Sequence, residues 1–250
     1  MDDRLVERLR AAGVDPDQVD DAHEAWLRLH QHSGLRATLI DRYALEAHVR
    51  EVSPDELSPQ DRKRIARPVI ETRYPEIEII GAERGSDTVE VVPYDPRWAD
   101  RFAVWRTRLS DLLGPVALAI DHVGSTSVIG LSAKPIIDIQ IVVPDVDDED
   151  TYVPAIESTG TTMRAREPDH RYFRPSPGLP REVQIHVCDP QGDWGSEHLL
   201  FRDYLRAHRG AREEYASLKS ELADRYRDDR LAYNEAKTIF ILDTLEKARN

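Results

Sequence analysis

A chain of 250 residues with 40% hydrophobic residues can bury a substantial core and hold one or two domains. Its formal net charge of −13 argues against general nucleic-acid binding, which requires a basic face. The sequence lacks an apolar run long enough to cross a bilayer and an apolar signal-peptide core at its N-terminus, and Cys188 is its single cysteine, so we predict a cytoplasmic protein without membrane contact.

The first part of the chain has the apolar spacing of helices, with breaks at Gly13, Gly34 and Ser53-Pro54. The predicted helices span 3–12, 17–32, 36–51 and 59–73. A change of pattern between 75 and 87 divides the chain into a helical N-terminal extension, 1–75, and a second domain, 76–250. The extension could be a lid, a docking module for a protein partner or an added helical cap, and the sequence does not choose among them.

The second part mixes strands and helices, which predicts an α+β fold with a sheet core flanked by helices. Alternating apolar residues or short apolar runs mark the strands, and Gly114-Pro115 ends the first helix. The predicted strands span 76–81, 88–92, 116–123, 135–143, two pieces within 162–174, and 182–188. The predicted helices span 96–113, 148–158 and three segments within 196–248.

A Gly-Ser turn stands between two of these strands, in the sequence IDHVGSTSVIGLSAKPIIDIQIVV of residues 120–143. Its backbone N–H groups, its hydroxyls and the following Lys134 suit the phosphates of a nucleoside triphosphate. The members of this candidate phosphate site are Gly124, Ser125, Thr126, Ser127 and Lys134. The alternative is a tight loop in which the Ser and Thr side chains satisfy turn amides.

Asp138 follows the turn inside an apolar strand and shares a strand face with Gln140, while Ile137, Ile139 and Ile141 point the other way. An ionised carboxylate on a core strand requires a cation, a hydrogen-bonding network or exposure at a cleft. On the later strand, Gln184 and His186 alternate with apolar residues.

Histidines widen the choice of metal at Asp138. If His122, Asp138 and His186 converge, they form a set of two histidines and one carboxylate, which favours iron, zinc or manganese over magnesium. The alternative for each histidine is a hydrogen bond to a neighbour, such as Asp121 for His122.

Two further segments carry candidate ligand-binding residues. In the run DHRYFR, Arg171 and Phe173 share one strand face, whereas Tyr172 and Arg174 share the other. Arginines hold phosphate bidentately, although exposed arginines are also common. Lys237 lies four residues after Tyr233 on a helical face and either reaches the site or extends to solvent.

The string HVGSTSVIGLSAKPIIDI resembles the signature of the GrpB family, of the polymerase-beta-like nucleotidyltransferase superfamily. Similar segments follow in family order, and the resemblance covers roughly 88–248. They are RYFR (171–174), QIHV (184–187), HLLFRDYLRAH (198–208) and YNEAKTIFI (233–241).

The resemblance implies a nucleotidyltransferase-like mixed sheet, with nucleotide phosphates on the Gly-Ser turn and Mg²⁺ or Mn²⁺ on strand acids. Gln140 stands where the superfamily has its second carboxylate, and His186 is the best candidate for the third position. Two functions follow from this pattern. One is metal-dependent transfer of a nucleoside monophosphate from a triphosphate to a small-molecule acceptor. The other is a catalytically reduced module that binds a nucleotide or a CoA-related ligand and acts through a partner, since GrpB-like domains resemble segments joined to dephospho-CoA kinase.

Overall fold

The structure is a computed structural model and describes residues 3–19, 25–26, 39–58, 60–62, 64–65, 78–80 and 88–250. The chain divides into two compact units. The first comprises Met1–Pro75, Ser86–Val89 and Asp224–Ile239, and the second comprises Glu76–Gly85, Glu90–Ala223 and Phe240–Asn250. The first unit therefore takes in two later segments besides the N-terminal residues.

Eight α-helices lie in the described residues. They are α1 Asp3–Ala11, α2 Leu39–Val49, α3 Arg97–Leu113, α4 Val153–Glu157, α5 Asp193–Ala207, α6 Arg209–Arg225, α7 Arg230–Ala236 and α8 Thr238–Arg249. In the first unit, α2 packs against α7, and the Tyr43 hydroxyl lies 3.2 Å from Oδ2 of Asp229. The prediction of helices near 3–12 and 36–51 is confirmed. The predicted helices 17–32 and 59–73 fall largely outside the described residues.

The described strands form one mixed sheet in the second unit, with the spatial order β1-β4-β5-β6-β3-β2. The pair β3–β6 is parallel, and the other neighbouring pairs are antiparallel. The strands are β1 Glu78–Ile79, β2 Ala119–Val123, β3 Ile137–Val142, β4 Thr161–Glu167, β5 His170–Pro175 and β6 Val183–Cys188.

One face of the sheet carries the apolar core. Ile137, Ile139 and Ile141 of β3 pack there with Phe173 and Ile185, as the strand alternation predicts. Helices α3 and α4 cover this face through Trp98, Leu109 and Ile156. The opposite face of β3 and β6 carries Asp138, Gln140, Gln184 and His186, so we call it the polar face.

Three boundaries differ from the prediction. The segment 88–92 is not a strand, because its pairing is limited to a single bridge between Val92 and Ala133. The predicted helix 148–158 is shortened to α4, after a 3-10 turn at Glu149–Thr151. The end of the chain forms four helices instead of three, because Asp229 begins α7 by accepting a hydrogen bond from the Ala232 N–H at 3.0 Å.

None of the helices in the described ranges has both the length and the apolar character that crossing a membrane requires.

Candidate functional site

Gly124 links β2 to the Gly-Ser turn and packs directly against Asp138. Its φ of 67° is in the region that favours glycine, and a Cβ there would overlap the Asp138 carboxylate, with Cγ of Asp138 only 3.0 Å away. The antiparallel register pairs Val123 with Asp138, which places the turn beside the acid. The two motifs that the sequence predicts as phosphate site and metal ligand are therefore adjacent.

Two of the three turn hydroxyls are engaged within the protein. The Ser127 hydroxyl donates to the Gly124 carbonyl at 2.6 Å, and the Thr126 hydroxyl donates to the Ile136 carbonyl at 3.1 Å. Both side chains are buried. Thr126 and Ser127 thus hold the turn in shape, as the alternative interpretation of the sequence expects of Ser and Thr side chains.

The remaining donors of the turn are available to a ligand. Within the described part of the chain, no acceptor is found for the backbone N–H groups of Gly124, Ser125 and Thr126, or for the half-buried Ser125 hydroxyl. Lys134 is also half-buried, on the loop between the turn and β3. Consecutive backbone N–H groups form a concavity suited to an anion.

Asp138 belongs to a chain of polar contacts across the polar face. The parallel register pairs it with Gln184 of β6. In the amide orientation that satisfies its neighbours, Gln184 donates to Oδ1 of Asp138 at 3.2 Å and accepts from the Tyr172 hydroxyl at 3.2 Å and from Arg181 at 3.0 Å. Asp138 is half-buried and ordered by this network, with its second oxygen against Gly124.

Gln140 lies on the same face but is closed off, with 1% of its surface exposed. Helix α5 approaches the sheet here through Gly195, where a Cβ would lie 3.0 Å from the Gln140 Nε2 and 2.9 Å from the Cys188 Sγ. The position at which the superfamily resemblance implies a second metal-binding carboxylate therefore holds a neutral amide under a helix.

His186 is paired with Gln140 in the register and is engaged with aromatic neighbours. Its Nδ1 lies 2.9 Å from the His170 Nε2, and its ring stacks on Trp194 of α5 at 4.5 Å between centroids. Burial, together with His170 and His198, keeps the pKa of His186 well below its usual value. His186 is a neutral imidazole beneath α5 at neutral pH.

His122 lies on the opposite face of the sheet. It pairs with Ile139 in the register and stacks on Phe102 of α3, with 4.7 Å between ring centroids. Burial, with Arg206 and Arg202 nearby, lowers the pKa of His122 to about 4. Because the Thr126 hydroxyl donates to Ile136, the Nε2 of His122 donates to Thr126, at 3.0 Å.

The hypothesised metal set of His122, Asp138 and His186 is not brought together, because the strand alternation sends His122 to the core face while Asp138 and His186 lie on the polar face. Among the residues that the structure describes, no group of three or more His, Cys, Asp or Glu side chains is arranged to hold a metal ion. Asp138 remains the predicted metal ligand that lies at the turn.

The predicted ligand-binding cations are distributed over different parts of the structure. Arg171 faces the core side of β5, where its guanidinium bonds Glu149 at 2.6 Å and Asp147 at 2.5 Å. Tyr172 and, by alternation, the buried Arg174 face the polar side. Lys237 belongs to the first unit, with its Nζ 4.3 Å from the centroid of the Tyr233 ring. The structure thus does not group Arg171 with Asp138.

The sequence analysis missed three cations that contact the backbone around the turn. Arg202 and Arg206 of α5 donate to the carbonyls of His122 and Ser127, and Lys219 of α6 donates to the carbonyl of Ser132. Arg202 and Arg206 are four residues apart, so the sequence could have indicated that they share one helical face. Nothing local marks Lys219, which is 2% exposed and whose pKa is lowered to about 7 by burial.

Fold and site define an α+β protein in which a Gly-Ser turn, closing the β2–β3 connection, is packed on a strand carboxylate. The chain belongs to the GrpB family. The model of that family, described as GrpB protein, matches residues 88–247.

Bacterial relatives and a solved structure agree with this membership. The chain is 41% identical to the UPF0157 protein BH1888 of Halalkalibacterium halodurans, over 64% of this chain and 83% of the relative. It is 30% identical to the structure titled conserved protein GrpB from Enterococcus faecalis, with a TM-score of 0.59 over 64% of this chain and 96% of that one.

A dephospho-CoA kinase of Mycobacterium bovis is 32% identical over 76% of this chain. The match spans 54% of the kinase, about half its length.

Proposed function

We propose that the second unit binds a nucleoside triphosphate at the Gly-Ser turn and transfers its nucleoside monophosphate to a small-molecule acceptor. The observation that carries this proposal is the packing of Gly124 on the Asp138 carboxylate. This contact supports the proposal because it brings the candidate phosphate-binding turn next to the candidate metal ligand. The nucleotidyltransferase resemblance of the segment points to the same chemistry.

In this proposal, the turn supplies the phosphate contacts. The N–H groups of Gly124, Ser125 and Thr126, the Ser125 hydroxyl and Lys134 bind phosphate oxygens. The acceptor's nucleophilic atom forms a bond to the α-phosphorus, and the bond from that phosphorus to the bridging oxygen breaks, which releases pyrophosphate. Alignment of the acceptor with the leaving group is the main contribution of the protein to such a step.

The residue set fits one hard cation. Asp138 would hold Mg²⁺ or Mn²⁺, which when bound neutralises phosphate charge, and magnesium commonly relies on one or two carboxylates plus substrate oxygens. A second ion does not fit, because Gln140 and Gln184 offer neutral amides and Gln140 is closed under α5. Gln184 and Tyr172 would orient the Asp138 carboxylate instead.

The neutral amides also favour a second candidate, a module that binds a nucleotide or a CoA-related ligand without turnover and acts through a partner. The similarity to about half of a protein named dephospho-CoA kinase supports this alternative, because a related segment forms part of a protein whose name refers to a CoA precursor. The helical unit would then be a candidate docking surface for the partner.

Incubation of the protein with each labelled nucleoside triphosphate, Mg²⁺ or Mn²⁺ and a metabolite mixture separates the two candidates. Pyrophosphate release that is lost in Asp138→Asn and retained in Asp111→Asn, an exposed acid on α3, is the result expected of a transferase. Nucleotide binding by calorimetry without pyrophosphate release would identify the binding module. Absence of both binding and release would reject the whole proposal.

A further inference from the structure

Three cations from two helices contact the chain segment that contains the Gly-Ser turn. Arg206 donates twice to the Ser127 carbonyl, from Nε at 3.2 Å and from Nη2 at 2.9 Å. Arg202 donates to the His122 carbonyl at 3.1 Å, and the Lys219 ammonium donates to the Ser132 carbonyl. These carbonyls flank the turn on both sides and include one within it.

Two further turn carbonyls are also engaged. The Gly124 carbonyl accepts from the Ser127 hydroxyl at 2.6 Å, and the Ser125 carbonyl accepts from the Val128 N–H at 3.2 Å. A fixed carbonyl also fixes the N–H of the next residue, because the two share one planar peptide unit. The Gly124 and Ser125 carbonyls thus fix the N–H groups of Ser125 and Thr126. The Ser127 carbonyl, held by Arg206, fixes the Val128 N–H that bonds the Ser125 carbonyl. Bonds from charged donors hold a carbonyl more strongly than neutral ones.

The charges of these donors are not equally compensated. Arg202 forms a two-point ion pair with Asp203, whose carboxylate also lies 3.4 Å from Arg206. Lys219 makes no ion pair within the described ranges, and its second contact is the face of Tyr215, 4.7 Å from the ring centroid. Because burial lowers its pKa to about 7, Lys219 is only partly protonated at neutral pH. A buried, uncompensated ammonium favours negative charge in its surroundings.

We propose that Arg202, Arg206 and Lys219 are positioning residues that fix the backbone within the turn and on both sides of it, and so keep the N–H groups of Gly124, Ser125 and Thr126 directed at a polyphosphate. This inference rests on the proposed function for its ligand, whereas the ordering of the turn is independent of it. The cations act through the backbone and do not contact the phosphate themselves.

Amide hydrogen exchange of the ligand-free protein tests the ordering. Arg206→Met and Lys219→Met should raise the exchange rate of the 122–134 segment by at least about tenfold, with the sheet core unchanged. Arg206→Lys, which keeps one donor for the Ser127 carbonyl, should restore part of the protection. Arg209→Met is the matched control, because exposed Arg209 of α6 pairs with Glu213 and not with the turn.

Calorimetry with inorganic tripolyphosphate and Mg²⁺ tests the link to binding. The Kd should rise at least about tenfold in Arg206→Met, less in Arg206→Lys, and not in Arg209→Met. Unchanged exchange in both Arg206→Met and Lys219→Met would overturn the positioning role, whatever the ligand. Faster exchange with an unchanged Kd would overturn the link to phosphate. A wild type that fails to bind tripolyphosphate and nucleotides would reject the proposed function, with the exchange result still deciding on the ordering.

Discussion

Gly124 and Asp138, fourteen positions apart, are in van der Waals contact, and the turn can close on the strand only because residue 124 has no side chain. The positive φ of Gly124 and the carboxylate behind it impose the same requirement for glycine.

Replacement of Gly124 by alanine should therefore lower stability by at least about 3 kcal/mol, through backbone strain and a steric overlap. Gly130→Ala provides a matched control. Gly130 also has a positive φ, 80°, but a Cβ there meets nothing within 4 Å. We therefore expect Gly130→Ala to lower stability by only about 1–2 kcal/mol. Urea unfolding measures both. Equal losses of stability in the two variants would show that the steric overlap with Asp138 does not destabilise the protein.

A second carboxylate should strengthen magnesium binding at position 184 and not at position 140. Gln184 is half-buried and adjoins Asp138, so Gln184→Glu adds an anionic oxygen beside the metal ligand. Gln140→Asp instead buries a charge beneath α5, which raises its pKa and lowers stability by roughly 2 kcal/mol or more. Magnesium titrations of both variants and the wild type test the contrast. A gain only in Gln140→Asp would restore the two-carboxylate pattern of the superfamily.

His122 should make stability depend on pH in the acid range. Its pKa is lowered by burial and by Arg206 and Arg202 to about 4, below its usual 6.5, so the unfolded chain binds more protons between these values. The contribution of His122 to the free energy of unfolding is fully present above pH 6.5 and is lost as the pH falls through 4. His122→Gln keeps a donor for Thr126 but does not titrate. Between pH 7 and 4, the free energy of unfolding of this variant should therefore fall by about 2–3 kcal/mol less than that of the wild type. Parallel pH profiles of the two proteins would contradict the assignment.

Arg171 should matter for folding and not for the ligand. Its side chain is 6% exposed and bonded to Glu149, which is 21% exposed, and to the largely exposed Asp147. Arg171→Met removes these charge-assisted bonds and should cost about 2–3 kcal/mol. Arg166→Met removes a 38% exposed partner of the same Glu149 and should cost about 1 kcal/mol or less. Thermal unfolding measures both variants. If folded Arg171→Met binds tripolyphosphate more weakly than the wild type, Arg171 contributes to ligand binding and the prediction is wrong.

The sequence by itself determined the local features of this protein. Period-two alternation assigned Asp138 and Gln140 to one strand face and the isoleucines to the other, and the Gly-Ser turn with Lys134 marked the candidate anion-binding segment. These features depend on neighbouring residues, whose geometry is set by the backbone.

Only the tertiary structure decided which polar residues meet. The pairing of β2 with β3 sends His122 to the core face, and the packing of α5 through Gly195 closes off Gln140. Contacts such as Lys219 with Ser132 join residues 87 positions apart, and no short-range pattern encodes them. Strand register and helix packing are set by burial over the whole sheet, so a residue's partners cannot be derived from its own segment.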